Sequence, residues 1–404
     1  MPASPRLEDW IIPQGFRFSG LHCGIKSDRA RKDLAVILSD VPGAAAGVFT
    51  QNRVCAAPVQ VSRKRVPSAA TVGVVLNAGN ANACTGAKGI KDAERMTQLL
   101  AEQVGAAAEQ VLVCSTGIIG RALPLHVIEP GILQAARSAR ADAGALFDAA
   151  HAIMTTDTRI KVSYRQATIN GHAYRFTGLA KGAAMIGPNM ATMLGVVCTD
   201  APVLPQDLQT LLREATSKTF NCISVEGHMS TNDTVLVLAN GCGGGPALHG
   251  DALQQFGFEL TAVCEELAVA IVQDAEGITK LLTLSVEGLQ SDADAHRVAK
   301  TVAESALVKT ALFGNDPNWG RIVSAAGYAG VPFEEKDLSL WLGEHLLYDR
   351  GTPTPTDIAA LGQYLKENVE VQARLVFMLG QGRCTFWTSD LSYEYVRLNA
   401  DYTT

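Results

Sequence analysis

The chain has 404 residues, of which 47% are apolar and 18% charged, so a large buried core is readily supplied. Its formal net charge of −6 is unlike that of general nucleic-acid binders, which usually carry a basic patch or stripe. The nine cysteines form no Cys-x-x-Cys pair, and no cysteine or histidine spacing indicates a metal site. No apolar run is long enough to span a membrane and no secretory signal opens the chain, which predicts a cytoplasmic protein.

Strands and helices are predicted to alternate along the chain. Apolar runs at residues 34–38, 72–76 and 111–114 are each followed by turn-forming residues and predict buried strands. Residues 205–215 carry an apolar stripe at helical spacing, and residues 258–275 predict a longer helix buried between layers. The two periods together predict a layered α/β or α+β architecture.

Two features of the second half of the chain complete this prediction. Residues 369–377 alternate between apolar and polar types, which predicts a strand with one wet face. Residues 348–357 hold two prolines and three threonines and suggest a boundary before a C-terminal subregion. The glycines of residues 241–245 lack the spacing of a dinucleotide loop and predict a surface turn, so the sequence predicts no bound cofactor.

The segment from Lys181 to Leu194 carries the candidate chemistry and reads K-G-A-A-M-I-G-P-N-M-A-T-M-L. Thr192 follows a Pro-Asn turn and the small residue Ala191, so its hydroxyl could reach the preceding carbonyl. If the turn is strained, an N-to-O acyl shift and hydrolysis would cut the chain there. Thr192 would then hold a hydroxyl nucleophile and an α-amine that serves as its base. From these residues alone, an ordinary threonine at the start of a strand is the favoured explanation of the pattern.

The segment resembles the cleavage and nucleophile motif K-G-S-G-M-I-x-P-N-M-A-T-M-L of the ornithine acetyltransferase / glutamate N-acetyltransferase family of arginine biosynthesis. Further motifs of that family occur in order over nearly the whole chain. They are G-V-F-T-Q-N at residues 47–52, L-N-A-G-N-A-N at 76–82, C-S-T-G-I-I-G at 114–120, I-M-T-T-D-T at 153–158, S-T-N-D at 230–233, E-G-I-T-K at 276–280, D-P-N at 316–318 and L-N-A-D-Y-T-T at 398–404.

The resemblance implies an αββα-type sandwich like the DmpA/ornithine acetyltransferase fold, in a chain that autoproteolysis divides between Ala191 and Thr192. Residues 1–191 would form the α segment and residues 192–404 the β segment, often assembled as a heterotetramer of two copies of each. Thr192 would take the acetyl group of N-acetylornithine and pass it to glutamate by a ping-pong mechanism. Some members also accept acetyl-CoA, and the sequence leaves that cosubstrate open.

The same resemblance implies the residues of the site. Thr116 and Gly117 match the oxyanion-hole pair. The substrate-binding positions match six residues of this chain: Thr155, Lys181, Thr192, Glu276, Asn399 and Thr404. Either threonine of the 155–156 pair could make the contact. Lys181 suits a substrate carboxylate and Glu276 suits the side-chain ammonium of ornithine. The C-terminus would fold back over the site.

Two stretches depart from the family pattern. Ala183 and Ala184 replace Ser-Gly upstream of the cleavage site, where extra methyl groups could slow processing. Residues 225–230 read V-E-G-H-M-S in place of V-D-G-D-(T/M)-S, so that His228 replaces an acid. Two other functions remain as alternatives: a self-processing aminopeptidase or amidohydrolase of the same fold with water as acceptor, and an unprocessed binding or scaffold protein.

Overall fold

The computed structural model describes residues 7–187 and 193–401. Within them the strands form two separate sheets. The strands are β1 (Phe16–Leu21), β2 (Leu34–Phe49), β3 (Ser68–Asn80), β4 (Val111–Ile118), β5 (Lys161–Ile169), β6 (His172–Lys181), β7 (Leu194–Thr199), β8 (Ile223–Ser224), β9 (Thr234–Ala239), β10 (Leu281–Leu289), β11 (Leu338–Leu342), β12 (His345–Asp349), β13 (Thr352–Pro353), β14 (Glu370–Phe377) and β15 (Gly382–Ser389).

Helices pack against both sheets. They are α1 (Ala57–Arg63), α2 (Gly86–Val104), α3 (Leu125–Ser138), α4 (Ala143–Ala152), α5 (Pro205–Lys218), α6 (Gly250–Val272), α7 (Asp292–Ala303), α8 (Ala306–Phe313), α9 (Gly320–Gly327), α10 (Ile358–Glu367) and α11 (Tyr393–Asp401). Short 3₁₀ turns lie at Leu7–Asp9, Ala108–Gln110, Phe220–Cys222 and Glu335–Asp337.

The first sheet has eight strands in the order β4-β3-β2-β9-β7-β6-β5, with β1 paired to β2. The second sheet has seven strands in the order β13-β12-β11-β14-β10-β15-β8. Helix α6 contacts β5 and β6 of the first sheet and β8 and β15 of the second, so both sheets share one hydrophobic core. The predicted layered α/β sandwich is therefore confirmed.

Most predicted elements lie where the residue patterns indicate. The three early apolar runs lie in β2, β3 and β4, and the strand β14 alternates between exposed and buried residues as expected for one wet face. The predicted boundary at residues 348–357 is wrong, because β12 and β13 pair there as a hairpin of the second sheet.

The helix predicted at residues 258–275 needs correction in its length and its burial. It begins earlier, at Gly250, and ends at Val272. It buries only one face: the side chain of Phe256 is fully buried and packs against Phe176, with ring centroids 5.2 Å apart, whereas Phe258 is 67% exposed.

This contrast within one helix gives a test of the core. We expect Phe256→Ala to lower the free energy of unfolding by about 3–5 kcal/mol, because it leaves a cavity between α6 and the first sheet. Phe258→Ala, on the exposed side of the same helix, should change it by less than about 0.5 kcal/mol. Thermal melting of both variants measures the difference, and equal losses would contradict the packing described.

Candidate active site

The predicted cleavage site lies in the connection between two paired strands. Lys181, the last residue of β6, pairs in antiparallel register with Leu194, the first residue of β7. Ala191 and Thr192 are in the connection between them, outside the residues that the structure describes. Both ends of the connection are held by buried carboxylates: the N–H of Gly182 donates to Asp157 Oδ1 at 2.7 Å, and the N–H of Met193 donates to Asp233 Oδ1 at 3.2 Å.

The first part of the connection is hydrogen-bonded to the loops that follow β8 and precede β10 of the second sheet. The carbonyl of Ala183 accepts a hydrogen bond from the N–H of Glu276 at 2.9 Å. The carbonyl of Ile186 accepts from the N–H groups of Val225 at 2.8 Å and Gly227 at 3.1 Å. Between them Met185 has a φ of 56°, a left-handed conformation that is uncommon for a residue with a side chain. The chain therefore enters the cleavage region through a bent, hydrogen-bonded segment.

Thr116 and Gly117 lie together near the end of β4. The buried hydroxyl of Thr116 accepts a hydrogen bond from the ammonium of Lys181, with Nζ 3.4 Å from Oγ1. A hydroxyl that accepts one hydrogen bond can still donate its proton to another group. Gly117 has a φ of 128°, and a Cβ there would lie 2.3 Å from the carbonyl carbon of Gly79, so only glycine fits.

Buried charges surround these groups. Lys161 Nζ donates to Asp157 Oδ1 at 2.7 Å and to Asp274 Oδ2 at 2.6 Å. Burial raises the pKa of the Asp157 carboxyl, but the charges of Lys181 and Lys161 outweigh it and hold that pKa well below its usual range. Burial lowers the pKa of Lys181, whereas the nearby charge of Asp157 raises it. Asp157 therefore balances the two buried lysines.

Thr155 and Thr156 have different surroundings. The N–H of Thr155 donates to Asp157 Oδ2 at 2.8 Å, and its carbonyl accepts from the guanidinium of Arg31. Thr156 instead lines a cleft of about 540 Å³, together with Glu276 and Leu398. The cleft gives Thr156 the more open position of the two.

The C-terminal helix α11 closes over the other side of the cleft. Asn399 Nδ2 donates to Glu276 Oε2 at 2.9 Å. Before the helix begins, Ser392 Oγ donates to the carbonyl of Gly277 at 2.6 Å. The fold-back of the C-terminus that the resemblance implies is thus seen up to residue 401, and Thr404 lies outside the described residues.

Several buried charges at this site were not predicted as site residues. Asp157 and Asp233 lie inside two of the quoted motifs, so the motifs could have identified them as site residues. The sequence does not indicate, however, which lysine or backbone amide each of them contacts. Lys161 and Asp274 lie outside every quoted motif, and only the folded chain brings them together.

Among residues 7–187 and 193–401, no group of three or more His, Cys, Asp or Glu side chains is arranged to hold a metal ion. Within the same ranges, no helix is both long and apolar enough to cross a membrane.

A cleft bordered by buried charges of both signs and a hydroxyl donor has the character of an enzyme site. The comparisons agree. The ArgJ family model matches residues 17–404, and the chain belongs to that family. It is 47% identical to the arginine biosynthesis bifunctional protein ArgJ of Geobacter sulfurreducens, over 97% of this chain and 99% of the relative. It is 44% identical to the protein of that name from Rhodopirellula baltica, over 98% and 97%. The crystal structure of ArgJ from Bacillus halodurans is 38% identical, covers 50% of this chain and 96% of its own, and has a TM-score of 0.49.

The buried ion pairs give a prediction of stability. Asp157→Asn removes the carboxylate between Lys161 and Lys181, so we expect it to lower the free energy of unfolding by about 3–5 kcal/mol. Glu334→Gln breaks an ion pair with Lys336 of similar length, 2.6 Å, whose side chains are each 72% exposed, and should change nothing measurable. Thermal melting of both variants checks this, and an unchanged melting temperature for Asp157→Asn would refute the role of this carboxylate.

Proposed function

We propose that the chain cleaves itself between Ala191 and Thr192 and then acts as an N-terminal-threonine acetyltransferase that moves the acetyl group of N-acetylornithine to glutamate. The observation that carries the proposal is the contact between Thr116 and Lys181, at the strand end from which the connection to Thr192 departs. A hydroxyl and a buried ammonium there suit the negative charge that develops during acyl transfer. The names of the ArgJ relatives, which place them in arginine biosynthesis, support the same reaction.

The proposed reaction has two half-reactions with one covalent intermediate. The α-amine of Thr192 takes the hydroxyl proton as the oxygen attacks the acetyl carbonyl, and Thr116 and Gly117 stabilise the oxyanion. Collapse of the tetrahedral intermediate breaks the C–N bond, the leaving amine takes up a proton, and ornithine departs. The amine of glutamate then attacks the acetyl-threonine and regenerates the hydroxyl. Substrate binding falls to Lys181, Thr192 and Glu276, with Thr155 or Thr156, Asn399 and Thr404, and no cofactor is needed.

The two proposed segments, 1–191 and 192–404, would remain associated after cleavage. Residues 176–181 of β6, in the first segment, pair with the whole of β7 in the second, and β2 pairs with β9. The largest core cluster also contains residues from both segments, for example Phe176 and Phe256. Two copies of each segment would complete the heterotetramer, which we propose works in the cytoplasm. Sedimentation of the purified protein tests that composition.

The word bifunctional in the relatives' names supports acetyl-CoA as a second donor for this chain. Purified protein offered glutamate with either N-acetylornithine or acetyl-CoA tests both activities. Release of free acetate in place of N-acetylglutamate would instead indicate the hydrolase alternative, in which water is the acceptor.

Thr192→Ala should abolish both cleavage and acetyl transfer, because it removes the attacking hydroxyl. On a denaturing gel the wild-type chain should give two bands of similar size, with Thr192 at the N-terminus of one. The variant should give one band at the full mass of 42.7 kDa. Thr192→Ser keeps a hydroxyl and should retain both reactions at reduced rate. A wild-type chain that stays uncut would support the unprocessed binding protein.

Thr116→Val should lower the rate of acetyl transfer by about 100- to 1000-fold, because it replaces the hydroxyl with a methyl group of similar volume. Thr116→Ser keeps the hydroxyl and should lose far less. Steady-state kinetics on protein shown by gel to be fully cleaved measure both variants. A Val variant with wild-type kcat would exclude Thr116 from the oxyanion hole.

A further inference from the structure

Glu226 is a buried carboxylate that the reaction above does not use. It lies in the loop between β8 and β9, and in the described parts of the chain neither of its buried side-chain oxygens makes a hydrogen bond of normal geometry, although the backbone N–H groups of Ile186 and His228 approach closely enough to lower its pKa. Buried polar groups are normally paired, so an unpaired one calls for an explanation such as a ligand. Burial raises the pKa of the Glu226 carboxyl to about 8.

The backbone places Glu226 close to the substrate site. The carbonyl of Ala183 binds the N–H of Glu276, and the carbonyl of Ile186, three residues later, binds the N–H groups on either side of Glu226. A single short segment therefore holds both Glu226 and Glu276, and it leads directly to Thr192. The charge of Glu276 also helps to raise the pKa of Glu226, as expected for carboxylates that face one region.

Helix α11, which covers the cleft, also lies close to Glu226 and Glu276. Burial, together with the charges of Glu226 and Glu276, raises the pKa of the Tyr395 phenol to about 12. Tyr395 lies one turn of α11 before Asn399, which binds Glu276. Glu226, Glu276 and Tyr395 thus converge beneath the C-terminal helix.

Lys309, whose charge lowers the pKa of Glu226, forms no ion pair with it in the described structure. Lys309 of α8 is buried, and its ammonium donates to Thr388 Oγ1 at 3.0 Å, to the carbonyl of Ser389 and to Ser389 Oγ at 3.3 Å. These contacts use all three protons of the ammonium. Lys309 also faces Asp390, and its pKa falls to about 8 through burial.

The other described charged residues near Glu226 do not form an ion pair with it either. Glu304, at the end of α7, approaches the same loop, since Ser224 Oγ lies 3.5 Å from its Oε1. Glu304 has its own cation in Lys300, with Nζ 2.7 Å from Oε2. His228 follows two residues after Glu226 and is exposed. Within residues 7–187 and 193–401, Glu226 therefore has no ion-pair partner, and only the charge of Lys309 and two backbone N–H groups act against its protonation.

The proposed reaction sets a specific problem of charge. One threonine must exchange acetyl with the α-amines of ornithine and glutamate in turn, so the two side chains point toward the same part of the site. That of ornithine ends in an ammonium, whereas that of glutamate ends in a carboxylate. An acid that stays ionised, such as one paired with arginine, would attract the ornithine ammonium and repel the glutamate carboxylate.

We propose that Glu226 is a second acid of the substrate site, which accepts a hydrogen bond from the ornithine ammonium when ionised and donates one to the glutamate carboxylate when protonated. This inference rests on the proposed function. Exchange of ornithine for glutamate then takes up one proton from water at Glu226, and the return of an ornithine releases it. Because the Glu226 carboxyl has a pKa of about 8, both forms are populated near neutral pH.

The two half-reactions can be measured separately in a ping-pong enzyme. Exchange of labelled ornithine into N-acetylornithine reports the first, and exchange of labelled glutamate into N-acetylglutamate reports the second. In the wild-type protein, KM for N-acetylornithine should fall between about pH 7 and about pH 9 as Glu226 ionises, while KM for glutamate rises. Titration of the Thr192 amine affects both exchanges alike, and deprotonation of the glutamate α-amine can only lower KM for glutamate as pH rises. A KM for glutamate that rises while that for N-acetylornithine falls therefore identifies Glu226.

Glu226→Gln cannot ionise, although its amide still donates to a carboxylate. At about pH 9 its KM for N-acetylornithine should exceed the wild-type value by about tenfold or more, the loss expected for a charge-assisted hydrogen bond. Its KM for glutamate at that pH should equal or fall below the wild-type value. Glu304→Gln, which alters a neighbouring carboxylate that already has a cation, should leave both exchanges unchanged.

Equal changes in both exchanges for Glu226→Gln would mean a merely structural role and would overturn the inference, as would no change in either. If that variant does not fold, the wild-type profiles decide alone, and KM values that move in the same direction with pH overturn it. Wild-type protein that performs neither exchange contradicts the proposed function itself, whereas normal exchange without the opposed pH dependence contradicts only the role of Glu226.

Discussion

The arrangement of the site depends on one buried carboxylate, that of Asp157. It binds Lys161 directly, balances the charge of Lys181 and receives the N–H groups of Thr155 and Gly182. Two buried lysines without such a partner would repel each other and would each carry the cost of leaving water. With Asp157 ionised, the ammonium of Lys181 stays in place next to Thr116, and the connection to Thr192 begins from a fixed point. The stability of the core and the geometry for acyl transfer therefore share one electrostatic origin.

The connection from Lys181 to Leu194 is firmly held at both ends and yet contains an unfavourable backbone conformation. Its ends are strands of one sheet, held by pairing and by hydrogen bonds to Asp157 and Asp233, whereas Met185 adopts a left-handed conformation within it. Rigid ends can maintain an unfavourable backbone conformation between them, since the surrounding structure supplies the energy. The same rigidity would keep the two halves together after a cut, because β6 and β7 would still pair. A hairpin within a large sheet is thus a suitable place for a chain to cleave itself without coming apart.

Elements whose burial follows a simple period could be predicted from the sequence. Strand β14 and helix α5 are examples, since each shows one apolar side at the spacing of its secondary structure. The end of α6 and the exposure of Phe258 could not, because local spacing does not say which side of an apolar helix meets a neighbour. The ion pair between Lys161 and Asp274 could not be predicted either. The two residues are 113 positions apart in the sequence, and only the packing of α6 against β5 brings them together.

The motifs identified the chemistry better than local physics did, yet they record residues and not contacts. Glu226 illustrates the difference. In the sequence, Glu226 stands where the family motif has an aspartate, and it has one more methylene group and the same charge when ionised. In the fold that carboxyl is buried, the charge of Glu276 acts on it, and no cation among the described residues forms an ion pair with it, so the group is easily protonated. An acid that can hold or release a proton near neutral pH suits a site that must bind side chains of opposite charge in succession. The feature that matters is therefore burial without an ion-pair partner in the part of the chain that the structure describes, and a pattern of residues along a sequence does not reveal it.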